Sequence, residues 1–173
     1  MLRKVQDIIG LPVLDLGTGK KIGKVNDIFF GTDHELKAVA MDAKHWFSSS
    51  RFIAWDDVAG FGDDAVTIEN ELVIRSFEDS NPWFAFLSGN RKLKEIPVIT
   101  VNGNQLGLVS DVYFDPEEGT KMIGVELTDG FISDLKEGRK WLRLPGQLTL
   151  GDDSIVVPAE CEEALEEIIQ LKR

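Results

Sequence analysis

The chain has 173 residues with 30 acidic and 19 basic side chains, a net charge of −11, so its mean field repels phosphate polymers and anionic membrane surfaces and favours basic protein segments. A hydrophobic fraction of 43% and a charged fraction of 28% exclude intrinsic disorder, and the length makes one ordinary domain or two small ones. A single cysteine, Cys161, excludes an intrachain disulfide and a thiolate metal cluster, and it lies in AECEEALEEI among carboxylates that oppose thiolate formation. In chain order, the opening MLRKVQDIIG lacks the apolar core of a signal peptide, and no apolar run approaches the ~20 residues that span a bilayer, so a cytoplasmic protein is expected. LPVLDL reads as a strand, and the glycines of the following LGTGKKIGKV are spaced G-x-G-x-x-x-G, one residue too long for a dinucleotide fingerprint. A Walker loop fails too, because Ile22 stands where glycine is required and Val25 follows Lys24 where Ser or Thr should hold magnesium. A phosphate loop must open a helix, whereas VNDIFFG continues with β-branched and aromatic residues; the stretch is a turn between two strands.

The remainder of the chain repeats this beginning. GKVNDIFF (Gly23 to Phe30) realigns on GLVSDVYF (Gly107 to Phe114), LPVLDLGTGKKIG on IPVITVNGNQLG, KAVAM on IGVEL, and FGDDAVTIE on LGDDSIVVP, four blocks in the same order. The second copy keeps strand, turn and strand but replaces the Gly-x-Gly pair with Asn102–Gly103, a hairpin signal in which both residues tolerate positive φ, so Gly17 and Gly19 are expected to do backbone work. Short strands with turn signals every ten or so residues predict an all-β fold of two tandem small, partly open barrels, over 1–72 and 91–173, joined by a linker over 73–90. At the end, AECEEALEEIIQLKR places Leu165, Ile168, Ile169 and Leu171 at near-helical spacing, with Glu early and Lys172 and Arg173 last, which predicts a short C-terminal α-helix.

A Pro-Val strand, a Gly-bearing turn, G-x-V-x-D followed by two hydrophobic residues and Phe, and a late G-D-D before a valine-rich strand resemble the PRC-barrel family. That family includes the cytoplasmic domain of the photosynthetic reaction-centre H subunit and the C-terminal domain of ribosome-maturation factors. The resemblance implies a small barrel used for protein contacts and carries no catalytic residue with it.

Asp27 and Asp111 are polar residues at equivalent places in apolar strands. GKVNDIFF breaks strict alternation there, so a bend or bulge is expected with the carboxylate accepting backbone N–H bonds; Gly23 and Gly107 belong to the same irregularity. Asp63/Asp64 and Asp152/Asp153 follow a Gly and precede strands, as turn residues do. DPEEG lacks the ligand spacing of an EF-hand, and His34 and His45 lack the spacing or cysteine company of a zinc site. No metal, cofactor or catalytic residue is therefore expected. Large aromatics outside the strand pattern are expected to mark either contacts between the two halves or a patch for another protein. The candidates are Trp46 and Phe47, with Phe131 and Ile132 in the matching loop of the second copy, and Trp83 and Phe84 in the linker.

The residues thus point to a non-catalytic tandem barrel that binds another protein, basic in character, or a second copy of itself, and not nucleic acid directly. Two further readings stand beside it. One is a ribosome-maturation factor contacting a basic ribosomal protein, which the family resemblance alone implies. The other is a metal-binding or hydrolytic protein using the paired aspartates.

Overall fold

The computed structural model describes residues 1–42, 50–77, 81–129 and 139–167. In chain order these form β1 (Arg3–Lys4), α1 (Val5–Ile8), β2 (Pro12–Asp15), β3 (Lys21–Phe30), β4 (Leu36–Met41), β5 (Arg51–Ala54), β6 (Val58–Phe61), β7 (Val66–Ile68), β8 (Arg75–Ser76) and β9 (Phe84–Ala85). They continue as β10 (Pro97–Thr100), β11 (Gln105–Phe114), β12 (Met122–Thr128), β13 (Lys140–Arg143), β14 (Thr149–Leu150), β15 (Ile155–Val157) and β16 (Glu166–Glu167). The chain divides into two compact units, Val5–Ser88 and Met1–Lys4 with Gly89–Arg173, called barrel 1 and barrel 2 below.

Each unit is a curled, half-open sheet of the same topology. Barrel 1 runs β6-β7-β2-β3-β4-β5-β8 with β9 on β3, and barrel 2 runs β14-β15-β10-β11-β12-β13-β16 with β1 on β11. The registers coincide as well. Val13 faces Val66 in the parallel pair of barrel 1 as Val98 faces Ile155 in barrel 2. The β3–β4 register shifts between Val25 and Asp27, and the β11–β12 register between Val109 and Asp111, so Asn26 and Ser110 are the extra residues of two equivalent bulges. The bulge explains the broken alternation, because one added residue lets Val25 join Ile28 and Phe30 in the core. Val109, Val112 and Phe114 do the same in barrel 2, and all six are at most 1% exposed.

The turn after the first strand of each repeat is built similarly but not as Asn102–Gly103 implies. Of the Asn102–Gly103 pair, Gly103 alone (φ 88°) takes the left-handed conformation, matched by Gly19 (φ 70°) in barrel 1. Gly17 instead donates its amide to the buried Asp15 carboxylate at 2.7 Å, and Thr100 Oγ1 serves the equivalent turn by accepting the Asn104 amide at 3.2 Å. Gly23 and Gly107 lie within β3 and β11, opposite Val13 and Val98, beside further register shifts. Gly107 has φ 154°, and a Cβ there would stand 3.1 Å from the Thr128 carbonyl oxygen; at Gly23 the neighbour is Met41 Cε, the end of a flexible side chain. Gly107→Ala is expected to cost about 2 kcal/mol and Gly23→Ala clearly less. Urea midpoints compare the two, and equal losses would contradict this account.

Two segments differ from the sequence-based expectation. Where it is described, the linker range 73–90 contributes two strands to barrel 1, β8 paired with β5 and β9 with β3. The segment after Pro158 is a single 3-10 turn, Ala159–Glu162, followed by β16 on β13 in place of an α-helix. Glu160, Glu162, Glu163, Glu166 and Glu167 would repel one another at i, i+3 and i, i+4 spacing in a helix, whereas the edge of β13 offers backbone partners. Residues 168–173 lie outside the described residues. The corresponding 3-10 turn of barrel 1, Glu71–Val73, likewise leads into β8. Among the described residues no helix is long and apolar enough to cross a membrane.

Candidate functional site

The most elaborate polar constellation in barrel 1 surrounds Asp27. Its carboxylate is 3% exposed, and Oδ1 accepts the amides of Ile28 (2.8 Å), Phe86 (3.0 Å) and Leu87 (3.0 Å), while Oδ2 accepts the Ser88 hydroxyl at 2.8 Å. Phe86 N–H also reaches the Ile28 carbonyl at 3.0 Å. With its acceptors filled by fixed donors, the carboxylate is a clasp that fastens 86–88 to the bulge of β3. In barrel 2, Asp111 accepts the Val112 amide at 2.9 Å from the same position.

The clasp fixes what lies beside it. Phe84 and Phe86 turn inward, 1% and 0% exposed, so Phe84 belongs to the core and is not available to a partner. Trp83 stays half-buried on the outer face with Phe29, Phe52 and Phe77. Phe52 meets Trp83 edge to face at 5.7 Å, and Phe77 forms tilted pairs with Phe52 and with Phe29, each at 4.6 Å. The edge-to-face contact of Phe52 with Trp83 is one that aromatic quadrupoles favour. Phe52, Phe77 and Trp83, with Arg75 and Ser76 of β8, line an open groove of about 510 Å³. Small residues beneath, Ala38 and Ala40 on β4, allow the large rings across the sheet to settle.

The matching face of barrel 2 has a different chemistry. Glu126 occupies the register position of Ala40, opposite Asp111 as Ala40 is opposite Asp27. Its side chain is 2% exposed and receives three donors: Arg139 Nη1 to Oε1 at 2.8 Å, Tyr113 Oη to Oε2 at 3.1 Å and Lys4 Nζ to Oε2 at 3.3 Å. Burial acts to raise the Glu126 carboxyl, but Lys4, the Tyr113 hydroxyl and Arg139 outweigh it and hold the group below the usual carboxylate range. Burial acts against the Lys4 ammonium, yet its contacts with Tyr113 and Glu126 hold it above its ordinary value. Lys4 Nζ also stands 5.4 Å from the centre of the Tyr113 ring, which meets Trp141 edge to face at 4.5 Å. Trp141 lies so close over Gly124 that any Cβ there would overlap the ring.

The PRC-barrel domain model matches residues 2–74 and again 88–161. The chain belongs to the PRC-barrel family. No curated protein matches it. The two PRC-barrel matches do not coincide with the two compact units. β1 falls inside the first match but closes barrel 2, and β9 lies between the matches but closes barrel 1.

Trp46, Phe47, Phe131 and Ile132 lie outside the described residues. Asp63/Asp64 and Asp152/Asp153 sit in equivalent exposed hairpin turns closed by Gly62 N–H to the Ala65 carbonyl and Gly151 N–H to the Ser154 carbonyl. Asp115 of DPEEG accepts the Glu117 amide at 2.9 Å. Burial, and then Glu160, push the Cys161 thiol up, away from reactivity. Among the described residues no group of three or more His, Cys, Asp or Glu is placed to hold a metal ion. Of the basic run around Trp141, Arg139 is spent on Glu126. Sequence reading missed the groove residues Phe52 and Phe77 and the Glu126 network. The available signal was the mismatch within KAVAM and IGVEL, where a glutamate in one copy stands against an alanine in the other.

Proposed function

We propose that this tandem PRC-barrel protein is a non-catalytic interaction module whose barrel 1 groove receives an extended basic segment of a partner protein. The observation that supports it is the aromatic groove of about 510 Å³ lying beside β8, whose outer edge pairs with no strand among the described residues. An open edge supplies main-chain hydrogen bonds to an added strand, and an adjacent pocket selects among its side chains. Phe52, Phe77 and Trp83 supply apolar and π faces for an aliphatic or cationic side chain, and the net charge of −11 steers a basic segment toward the chain.

Selection from a random displayed-peptide library on the full chain tests this. Lys- or Arg-bearing extended peptides should be enriched, and Trp83→Ala should weaken the selected peptides by about 2 kcal/mol, roughly thirtyfold, as truncation of a buried aromatic anchor does. Peptides that bind the Trp83→Ala chain as tightly as the parent would refute the groove as the site.

A further inference from the structure

We propose that the β11 edge of barrel 2 is a second docking site, built for a lysine-bearing extended segment of another protein and filled in the free chain by its own Arg3–Lys4. Each barrel has one short strand laid on its longest strand at the same register: Ala85 faces Phe29 in barrel 1, and Lys4 faces Tyr113 in barrel 2. Barrel 1 makes this closure with apolar residues, Phe84 and Ala85, at 1% and 5% exposed, and locks the following residues with Asp27. Releasing that strand would expose core surface, so the closure is permanent. Barrel 2 makes it with two half-buried cationic residues paired over two positions, and with the Met1 amino group on Asp115 at 2.9 Å and Glu117 at 3.2 Å, polar contacts throughout.

In barrel 1 the position of Glu126 is taken by Ala40, opposite Asp27, so the topology does not need a carboxylate at that place on the fourth strand. A buried carboxylate with its counter-ions gives little net stability over an apolar replacement, so its use is in specificity, best attested for fixing the register in which two segments pair. Glu126 is 2% exposed and preset by Arg139 and Tyr113, so its Oε2 and the Tyr113 ring together define one ammonium position, which Lys4 occupies. Lys4 is itself 37% exposed and returns to water at little cost, unlike Phe84. A partner segment carrying lysine in the same register therefore competes with Lys4 on equal chemistry, and the acidic chain draws it in. This site is independent of the barrel 1 groove.

A fluorescent peptide of sequence MLRKVQ, the chain's own first six residues, is the probe, titrated by anisotropy against the full-length chain. The Lys4→Ala chain should bind it at least tenfold more tightly than the wild type, because its own strand no longer competes for Glu126. Adding Glu126→Ala to that chain, or replacing the peptide lysine with norleucine, should each weaken binding at least tenfold. The norleucine arm leaves the protein untouched, so a folding defect cannot mimic it. Equal binding of the lysine and norleucine peptides, or no saturable binding to Lys4→Ala, would overturn the proposal. So would a wild-type chain that sediments as a dimer and is dissociated by the peptide, which would assign the site to a second copy.

Discussion

Asp27→Ala is expected to lower stability by about 3 kcal/mol or more. The change leaves the Ile28 and Leu87 amides and the Ser88 hydroxyl, now at 2.8 to 3.0 Å from the carboxylate, without that acceptor and the Phe86 amide with the Ile28 carbonyl alone, and each buried donor left unpaired costs about 1–3 kcal/mol less whatever water repays. Asp27→Asn should be milder, since its oxygen still accepts three amides and its NH₂ group can donate to Ser88 Oγ. Urea unfolding measures the loss, and hydrogen exchange localises it to the Phe86 and Leu87 amides. Because those residues anchor the chain that carries Trp83, selected peptides should also bind the Asp27→Ala groove more weakly. A variant as stable as the wild type, with Phe86 and Leu87 still protected, would show that the clasp holds nothing.

Phe30→Ala and Phe114→Ala should each cost about 3–5 kcal/mol, the usual penalty for emptying a fully buried aromatic site. Both rings are 0% exposed and occupy the same position in their respective barrels, at the second register shift of β3 and of β11. The consequences should separate in space. Phe30→Ala should strip exchange protection from β3 and β4, and Phe114→Ala from β11 and β12, since the two phenylalanines belong to different compact units. An unchanged urea midpoint in either variant would displace that phenylalanine from the core.

Most of the barrel architecture was legible in the residues because it is written twice. Gly, Val, Asp and Phe recur at fixed spacing in β3 and β11, and the break in alternation at Asp27 and Asp111 forecast the two bulges, where an inserted residue turns the strand's faces over. The strand order within each barrel was not legible, since the parallel pairs of β2 with β7 and of β10 with β15 join segments far apart in sequence. The C-terminal helix misled because Leu165, Ile168 and Ile169 have helical spacing, while the repulsion among neighbouring glutamates and the open edge of β13 carry no periodic signature.

What the amino-acid order alone determined is therefore the duplicated all-β module, its bulged aspartates and its acidic character, since these rest on local periodicity and composition. The tertiary structure decided the rest. A strand of two residues has no pattern to recognise, so nothing local could assign Arg3–Lys4 to barrel 2 or Phe84–Ala85 to barrel 1. The chemistry of the two outer faces depends on those assignments. Lys4 meets Glu126 across 122 residues of chain, and Trp83 joins Phe52 and Phe29 from distant strands, contacts that exist only once the sheet has curled.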